Sequence, residues 1–424
     1  MLSTQDAESL ILQSIQPLNS RRDQDLVPLR NAHQRILATA ITSALDFPYW
    51  DNSAMDGYAL RYQDIQGCSP EYPAVLEVVT EIQAGSCPRL SVGSQQAARI
   101  FTGAMMPLGA DTVVMQEDTN RQGNQVQVCH CPTLGAYVRR QGAYYQAGTP
   151  VLGQGTVLRA PEIAILATMQ CTTVPVFRRP VVTILSTGNE LIAPDQPLQP
   201  GQIIDSNRYA LAALVETTGA EARLLEIVGD QPEDLKAAMA GAIATSDLVL
   251  STGGVSVGDY DYVDQILTEL EAEILIAAVA IKPGKPLTFA RTAQLVDGLR
   301  PVWYFGLPGN PVSALVSFWR FVQPALRKLA GQSRDWGPSF VAAQSAQALP
   351  AAGPRETYLW GQLSLKEGRY QFSLADGSHS SGNLINLAQT NGLAVLPCHS
   401  PTLAINETVQ VMKVGSVGDI NRPL

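Results

Sequence analysis

The stretch from residue 248 to residue 262, LVLSTGGVSVGDYDY, places the tightest constraint on what this chain can fold into. The apolar residues Leu248–Leu250 predict a strand buried on both faces, and a helical pattern resumes after the loop that follows. Gly253, Gly254 and Gly258 allow positive φ and a close approach to a ligand, and successive amides in such a turn attract anions. We therefore favour a phosphate-binding strand–loop–helix over an ordinary βα connection. The loop also carries the hydroxyls and carboxylates of Ser251, Thr252, Ser256, Asp259 and Asp261.

Strands and helices alternate along the chain on both sides of this loop. Buried strands in VVTILSTGNEL and LLEIVGD are each followed by a helical pattern, in DSNRYALAALVETTG and QPEDLKAAMAGAIA. This alternation predicts a parallel sheet with right-handed crossovers, and ligands of such sheets gather at the carboxyl ends of the strands. Asp205 or Ser206 is predicted to cap the first of these helices. The residues expected on this one rim are Thr187, Gly188, Glu190, Asp230, Ser256 and Asp261.

Two further segments downstream have features that suit an anion. AIKPGKPLTFA places Lys282 and Lys285 on a predicted Pro-Gly hairpin, whose prolines limit the entropy lost on ordering the two ammonium groups. GLPGNPVSA then predicts a loop followed by a helix whose first turn carries Ser313, and exposed amides there favour an anion. Together with the carboxylates of the rim, they predict a site for phosphate and a divalent metal.

The remaining segments suggest a multidomain chain. Ser3 is predicted to cap a first helix, residues 31–37 are predicted to be helical, and a strand is expected at 41–43. The loop DFPYWDNSAMDGYAL is equally typical of a functional site and of a sharp turn. Arg139-Arg140 could bind phosphate or could be a solvated strand end. The predicted domains are an N-terminal scaffold (1–50, with a return segment at 147–179), an inserted β-rich module (51–146), an α/β domain (180–330) and a C-terminal β domain (331–424).

Composition excludes several classes of function. The net charge of −9 argues against binding to nucleic acid or to an anionic membrane surface. The six cysteines are scattered, which argues against a disulfide framework and for a reducing compartment. Cys129-His130-Cys131 is predicted to lie on a strand, where alternation sends the cysteines and the histidine to opposite faces, which argues against a metal site. Since no apolar run approaches the roughly 20 residues of a membrane span, we expect a cytoplasmic protein with no membrane contact.

Seven stretches of the chain carry a resemblance to a known family. In order and spacing they resemble the molybdopterin molybdenumtransferases, the molybdenum-insertion enzymes of molybdenum cofactor biosynthesis that include the gephyrin E domain. The resemblance implies a discontinuous N-terminal helical domain, an inserted β module, a central parallel-sheet α/β molybdopterin-binding domain and a C-terminal β domain. The stretches are DNSAMDGYA (51–59), RIFTGAMMP (99–107), VVMQED (113–118), STGNEL (186–191), STGGVSVGDYDY (251–262), AIKPGKP (280–286) and GLPGNPVSA (306–314).

The resemblance implies a reaction in two parts. Adenylylated molybdopterin is bound and its pyrophosphate link is hydrolysed to release AMP, and molybdate is transferred to the dithiolene sulfurs with the help of Mg²⁺. It also implies a homodimer that contacts the adenylyltransferase and molybdoenzyme chaperones. The residues matching the family's catalytic positions are Asp56, Thr102, Ser256 and Asp261, and those matching its metal positions are Glu190, Asp230 and Asp261. The residues matching its substrate positions are Gly253, Gly254, Lys282, Lys285, Pro308, Ser313, Arg355 and Ser381.

The sequence departs from the family pattern at three places. Ala143-Tyr144 stands where the family has an acidic pair, Asn189 replaces an acid, and Trp360-Gly361 replaces Arg-Gly. Since the other acidic positions are kept, we predict an active transferase. The alternatives are a non-catalytic molybdopterin-binding carrier or scaffold paralogue, which the loss of the acidic pair would favour, and a molybdopterin adenylyltransferase, which would not need the terminal domains.

Overall fold

The computed structural model describes residues 1–253, 262–296 and 300–419. The chain forms two compact units: a larger one of Met1–Thr39, Gln154–Ile163 and Thr172–Leu424, and a smaller one of Ala40–Gly153 and Ala164–Cys171. The four domain boundaries given above stay a prediction. The predicted site residues Gly254, Ser256 and Asp261 lie outside the described residues, as do Gly258 and Asp259.

The N-terminal segment of the larger unit begins with the predicted capped helix. Helix α1 (Thr4–Ser14) starts after Ser3, whose hydroxyl accepts a hydrogen bond from the amide of Asp6 at 3.1 Å. Strand β1 (Gln24–Pro28) follows. The helix predicted over residues 31–37 is wrong: a single 3₁₀ turn, Leu29–Asn31, is followed by Gln34 at a φ of 62°. The amide of Gln34 donates to the carbonyl of Leu158 at 2.8 Å, so a partner distant in sequence replaces the helical one.

The smaller unit is built on a six-stranded sheet in the order β7-β4-β6-β5-β9-β8. Two short antiparallel pairs, β3 with β10 and β2 with β11, form outside this sheet. The sheet spans most of the predicted β-rich module. The strands are β2 (Ile41–Thr42), β3 (Asn52–Ser53), β4 (Gly57–Leu60), β5 (Ala74–Ile82), β6 (Gln96–Ile100), β7 (Thr112–Met115), β8 (Thr119–Gln122), β9 (Gln125–Val128), β10 (Val138–Arg139) and β11 (Pro150–Leu152).

The return segment carries one helix and one strand. Helix α2 (Ala160–Thr168) begins in residues assigned to the larger unit and ends in residues assigned to the smaller one. Strand β12 (Thr173–Phe177) pairs antiparallel with β1, with Leu26 opposite Pro175. Residues far apart in sequence therefore build the N-terminal part of the larger unit together.

A mixed six-stranded sheet in the order β16-β13-β17-β21-β20-β18 forms the centre of the larger unit. The elements are β13 (Val181–Ser186), β14 (Leu191–Ile192), β15 (Ile203–Ile204), α3 (Asn207–Thr217), β16 (Glu221–Leu224), α4 (Pro232–Thr245), β17 (Leu248–Thr252), α5 (Val263–Glu269), β18 (Glu273–Ala278), β19 (Ile281–Lys282), β20 (Pro286–Val296), β21 (Arg300–Leu307), α6 (Pro311–Ser317) and α7 (Gln323–Leu329). A π-helical turn, Phe318–Val322, joins the last two helices.

The prediction of a parallel sheet holds for four of the six strands and is wrong at one edge of the sheet. Strands β16, β13, β17 and β21 run parallel, but β20 pairs antiparallel with β21 and with β18. The reason is the length of the connections, because parallel neighbours need a long crossover whereas short connections reverse the chain. Only residues 297–299 separate β20 from β21.

The parallel strands are tied together at their amino ends by a buried ion cluster. The carboxylate of Asp247, directly before β17, accepts from Nη1 and Nη2 of Arg178 at 2.7 and 2.9 Å and also pairs with Arg300. The amide of Val181 donates to the same carboxylate at 2.8 Å, and Arg178 reaches Asp23 at 3.1 Å. Burial opposes ionisation of Asp247, but the hydrogen bonds from Arg178 and the charge of Arg300 prevail and lower its pKa.

The C-terminal residues form a closed five-stranded β-barrel. Strands β24, β22, β26 and β25 follow one another, and β23 closes the circle by pairing with both β24 and β25. The strands are β22 (Ser339–Ser345), β23 (Glu356–Lys366), β24 (Arg369–Leu374), β25 (Gly392–Leu396), β26 (Thr408–Lys413) and β27 (Gly418–Asp419), the last pairing with β23. Among the described residues, none of the helices has the length and apolarity that crossing a bilayer requires.

Candidate active site

A cavity of about 1070 Å³ lies in the larger unit, between the carboxyl ends of the parallel strands and the β-barrel. Glu190 and every described residue that was predicted to contact substrate line it, although they come from widely separated parts of the chain. The predicted residues in its wall are Glu190, Gly253, Lys282, Lys285, Pro308, Ser313, Arg355 and Ser381.

The floor of the cavity is formed where β13, β17 and β21 end side by side. Gly253 follows β17 with a φ of +91°, and a Cβ there would lie 2.5 Å from the carbonyl oxygen of Thr187. Only glycine therefore fits at this position. The hydroxyl of Thr252 donates to the carbonyl of Pro308 at 3.2 Å, and Nδ2 of Asn207 donates to that hydroxyl at 2.7 Å. The loops after β17 and β21 are thus held together by side chains.

Lys282 and Arg355 line the same cavity because the hairpin pairs with the barrel. The predicted hairpin is confirmed, with Ala278 of β18 opposite Pro286 of β20, and its short strand β19 runs parallel to β23. Nη1 of Arg355 donates to the carbonyl of Ile281 at 3.3 Å.

The turn of this hairpin packs closely against helix α6. Gly284 has a φ of +107°, and a Cβ on it would lie 2.8 Å from the hydroxyl oxygen of Ser317. At the start of α6, the amide of Val312 donates to the carbonyl of Ser381 at 3.1 Å. Hairpin, helix and barrel therefore contact one another around the cavity.

Three cations in this wall have no acidic partner among the residues that the structure describes. Lys282 and Lys285 are exposed and Arg355 is half-buried, and within the described parts of the chain none of the three forms an ion pair with a carboxylate. Ser313 is buried beside them and Ser381 is half-buried. Unpaired guanidinium and ammonium groups next to hydroxyls suit a tetrahedral oxyanion.

Two of the predicted metal ligands lie on neighbouring loops. The amide of Gly188 donates to the carbonyl of Val228 at 3.2 Å, which joins the loops after β13 and β16. Glu190 lines the cavity, whereas Asp230 lies beside it, its carboxylate accepting from the amide of Asn189 at 3.1 Å. Neither carboxylate has a cationic partner among residues that the structure describes. Hard oxygen donors without a counter-charge fit Mg²⁺, although no group of three candidate ligands occurs within the described ranges.

In the smaller unit, the predicted catalytic residues Asp56 and Thr102 contact each other. The amide and the hydroxyl of Thr102 both donate to Oδ1 of Asp56, each at 2.7 Å. These two hydrogen bonds, with the nearby charge of Arg99, lower the pKa of Asp56. Asp56 is therefore an ionised hydrogen-bond acceptor at neutral pH.

The arginine pair that closes the predicted β-rich module has a specific contact. Nη1 of Arg140 donates to the carboxylate of Asp51 at 2.7 Å, and the amide of Gln141 donates to the other oxygen at 2.7 Å. The ring of Tyr144 lies 5.6 Å from that of Phe47 and is 62% exposed. The loop that departs from the family pattern thus presents an aromatic ring rather than a carboxylate.

Comparison with known proteins identifies the family. Family models match three successive parts of the chain: "MoeA N-terminal region (domain I and II)" at residues 2–169, "Probable molybdopterin binding domain" at 183–328 and "MoeA C-terminal region (domain IV)" at 342–414. The chain is 54% identical to the molybdopterin molybdenumtransferase of Nostoc sp. over 414 residues, covering 98% of this chain and 94% of the relative. The chain belongs to the molybdopterin molybdenumtransferase family.

Two more distant relatives extend this result. The molybdopterin molybdenumtransferase of Haemophilus influenzae is 34% identical over 412 residues, which is 97% of this chain and 98% of that one. The crystal structure of the molybdopterin biosynthesis MoeA protein from Pyrococcus horikoshii OT3 is 28% identical, with a TM-score of 0.82 over 97% of this chain and 100% of that one. The resemblance stated above is confirmed, and the enzyme is a transferase that inserts molybdenum during molybdenum cofactor biosynthesis.

Sequence reasoning missed several residues that line the molybdenumtransferase cavity. Asp205 was predicted only as a helix cap, and it does accept from the amide of Arg208 at 3.2 Å, but it also lines the cavity, as does Asn207. Trp360 and His379 line the barrel side. The signal for Asp205 and Asn207 was available, because DSN directly follows the short strand β15; no sequence signal marked Trp360 beyond its departure from the family pattern.

Proposed function

We propose that the enzyme hydrolyses the pyrophosphate link of adenylylated molybdopterin, releases AMP and transfers molybdate to the two dithiolene sulfurs. The observation that carries the proposal is a set of three cations in one cavity that have no acidic partner in the part of the chain that the structure describes. Lys282, Lys285 and Arg355 are brought there by the pairing of β19 with β23 and by the hairpin turn at Gly284. In a cavity formed by a molybdopterin-binding domain and the barrel, molybdate is the tetrahedral dianion that this charge would select.

The cations and hydroxyls would share the oxygens of molybdate. Arg355 offers a planar pair of donors, and the two lysines offer mobile ammonium groups. The hydroxyls of Ser313 and Ser381 add neutral donors from helix α6 and from the barrel. Gly253 and Pro308 would let the substrate approach the floor closely; Gly254 and Ser256 stay predicted substrate-binding and catalytic residues.

Glu190 and Asp230 would hold Mg²⁺, together with Asp261 as the third predicted ligand. When bound, Mg²⁺ supplies positive charge that stabilises charge developing on phosphate oxygens. The carboxylates would orient it through the joined loops after β13 and β16. Chelation should stop AMP release and added Mg²⁺ should restore it.

Asp56 and Thr102 are the proposed catalytic pair of the smaller unit. Because Thr102 donates twice to one carboxylate oxygen, Asp56 stays ionised and can accept a proton or orient water, but cannot act as a general acid at neutral pH. The predicted homodimer, its contacts with the adenylyltransferase and molybdoenzyme chaperones, and the cytoplasmic location stay predictions. Sedimentation of the purified enzyme tests the first of them.

The deciding experiment mixes the purified enzyme with adenylylated molybdopterin and Mg²⁺, with and without molybdate. AMP is measured by chromatography, and active cofactor by reconstitution of a molybdenum-free molybdoenzyme. Molybdate-dependent AMP release with cofactor formation is expected. Tight substrate binding without AMP release would contradict the proposal and favour a carrier.

A further inference from the structure

We propose that Trp360 is a positioning residue that anchors the loop of residues 375–386, called here the serine loop because it carries Ser381. The inference rests on the proposed function in one respect, which is that Ser381 is taken as a ligand of the oxyanion. No part of it depends on the adenylate chemistry.

Trp360 contacts both ends of the serine loop and its middle. The amide of Ala375 donates to the carbonyl of Trp360 at 3.1 Å, and the indole N–H of Trp360 donates to Oδ1 of Asn386 at 2.9 Å. Between these two ends, the ring of His379 lies against the indole, with centroids 4.5 Å apart. The carbonyl of Trp360 therefore holds the start of the loop, and its indole contacts the centre and the end.

Asn386, which the indole holds, binds further backbone groups inside the loop. Its Nδ2 donates to the carbonyls of Ser378 at 2.8 Å and of Asp376 at 3.2 Å, while Oδ1 is held by the indole. The ring nitrogen Nε2 of His379 lies 3.0 Å from the carbonyl oxygen of Ala375. These three contacts meet at residues that Trp360 holds, while Nδ2 of Asn383 donates separately to the carbonyl of Ser378 at 2.9 Å.

Burial explains why Trp360 can act as the anchor. Trp360 is 1% exposed, and its carbonyl and indole are fixed within the barrel wall. In contrast, Asp376, Gly377 and Ser378 are exposed and contribute no apolar packing. A loop of this kind loses conformational entropy when it becomes ordered. If the loop is already ordered before the ligand binds, that entropy loss does not reduce the affinity for the ligand.

The anchored loop positions Ser381 at the cavity. Its carbonyl accepts from the amide of Val312 at the start of α6, and Ser381 lines the same cavity as Lys282 and Lys285. Loosening the loop should therefore weaken binding of the oxyanion. It should leave the chemistry of bound substrate largely intact, because Trp360 is not expected to contact the reacting atoms.

The test uses Trp360→Phe, which keeps an aromatic ring against His379 but removes the N–H donor to Asn386. We expect KM for molybdate to rise about fivefold, the effect of one lost hydrogen bond, with kcat changed less than about twofold. Amides of residues 375–386 should exchange hydrogen faster in the full-length variant, measured by mass spectrometry. Trp360→Ala, which also removes the ring, should enlarge both effects.

Leu363→Ala is the matched control, because Leu363 lies on the same strand and is equally buried but packs in the barrel core away from the cavity. It should lower the melting temperature without changing KM for molybdate. An equal rise of KM in this control, or unchanged exchange and KM in Trp360→Phe, would overturn the inference. If the wild-type enzyme did not bind molybdate, the proposed oxyanion site would fail, and hydrogen exchange would still decide whether Trp360 anchors the loop.

Discussion

The cavity of the larger unit and the Asp56–Thr102 pair of the smaller unit differ in whether their charged groups already have partners. In the cavity, Lys282, Lys285 and Arg355 have no acidic partner among the described residues. In the smaller unit, Asp56 accepts twice from Thr102, and the neighbouring Arg140 pairs with Asp51. Charge left unpaired in a concave site is available to a ligand, whereas charge already satisfied mainly fixes the local structure. The cavity should therefore control substrate affinity, and the pair should control protonation and orientation.

The largest effect should come from the buried charges beneath the cavity rather than from those in it. Asp247→Asn leaves Arg178 and Arg300 without their shared carboxylate, so the free energy of unfolding should fall by about 3 kcal/mol in urea denaturation. Asp51→Asn breaks only a partly exposed pair in the smaller unit and should cost below about 1 kcal/mol. Equal losses of stability in the two variants would show that the buried ion pair of the larger unit and the exposed pair of the smaller unit contribute alike.

The same substitution should change the response to acid. Because the pKa of Asp247 is lowered in the folded protein, its contribution to stability is complete above its unfolded pKa of about 3.9 and is lost as pH falls through the lower folded value. Asp247→Asn should abolish this part of the acid dependence. Unfolding curves recorded between neutral and acidic pH measure it.

Removing the planar cation of the cavity should have the next largest effect. Arg355→Ala should raise KM for molybdate by about 30-fold, since hydrogen bonds from charged donors contribute about 1.5–3 kcal/mol each. Arg355→Lys keeps the charge but not the paired donors and should recover only part of the loss. Unchanged molybdate saturation in Arg355→Ala would refute the oxyanion assignment.

A smaller effect is expected at the exposed lysine of the hairpin. Lys282→Ala should weaken the dependence on molybdate by about fivefold, because an exposed ammonium contributes less than a half-buried guanidinium. Binding of AMP, followed by calorimetry, should not change. Lys366→Ala removes an exposed lysine of the barrel outside the cavity and serves as the control. A similar loss in the control would mean that only overall charge matters.

The smallest effect should appear in the smaller unit as a shift along the pH axis. Thr102→Val removes one of the two donors to Asp56, so the lowered pKa of that carboxyl should move back toward its ordinary value. The carboxylate then takes up its proton at a higher pH, and the acid limb of kcat/KM should move in that direction. Thr102→Ser keeps the hydroxyl and should resemble the wild type. A profile that does not move in Thr102→Val would separate Asp56 from catalysis.

Local sequence was sufficient for features that depend on neighbouring residues. Ser3 predicted its helix, and the proline-rich segment around Gly284 predicted the hairpin. The rule that parallel strands end on one rim placed Thr187 and Glu190 in the same cavity. These predictions succeeded because helix capping, turn geometry and the loops that follow strand ends are set within a few residues of the chain.

Other features depended on partners that the sequence does not name. The helix predicted at 31–37 is absent because Gln34 bonds to Leu158 instead, and the edge of the sheet is antiparallel because β20 and β21 are joined by a short connection. The part of Asp205 in the cavity wall and the contacts of Trp360 with the serine loop likewise arise from contacts across the fold.

The sequence by itself determined the family, the order of the elements and most of the charged residues of the cavity, because motifs and strand ends are local. Only the tertiary structure decided that Lys282 and Arg355 reach one cavity through the pairing of β19 with β23, and that these cations have no acidic partner among the described residues. The physical reason is that charge pairing and burial depend on which residues are neighbours in space. Folding brings these neighbours together from distant parts of the chain.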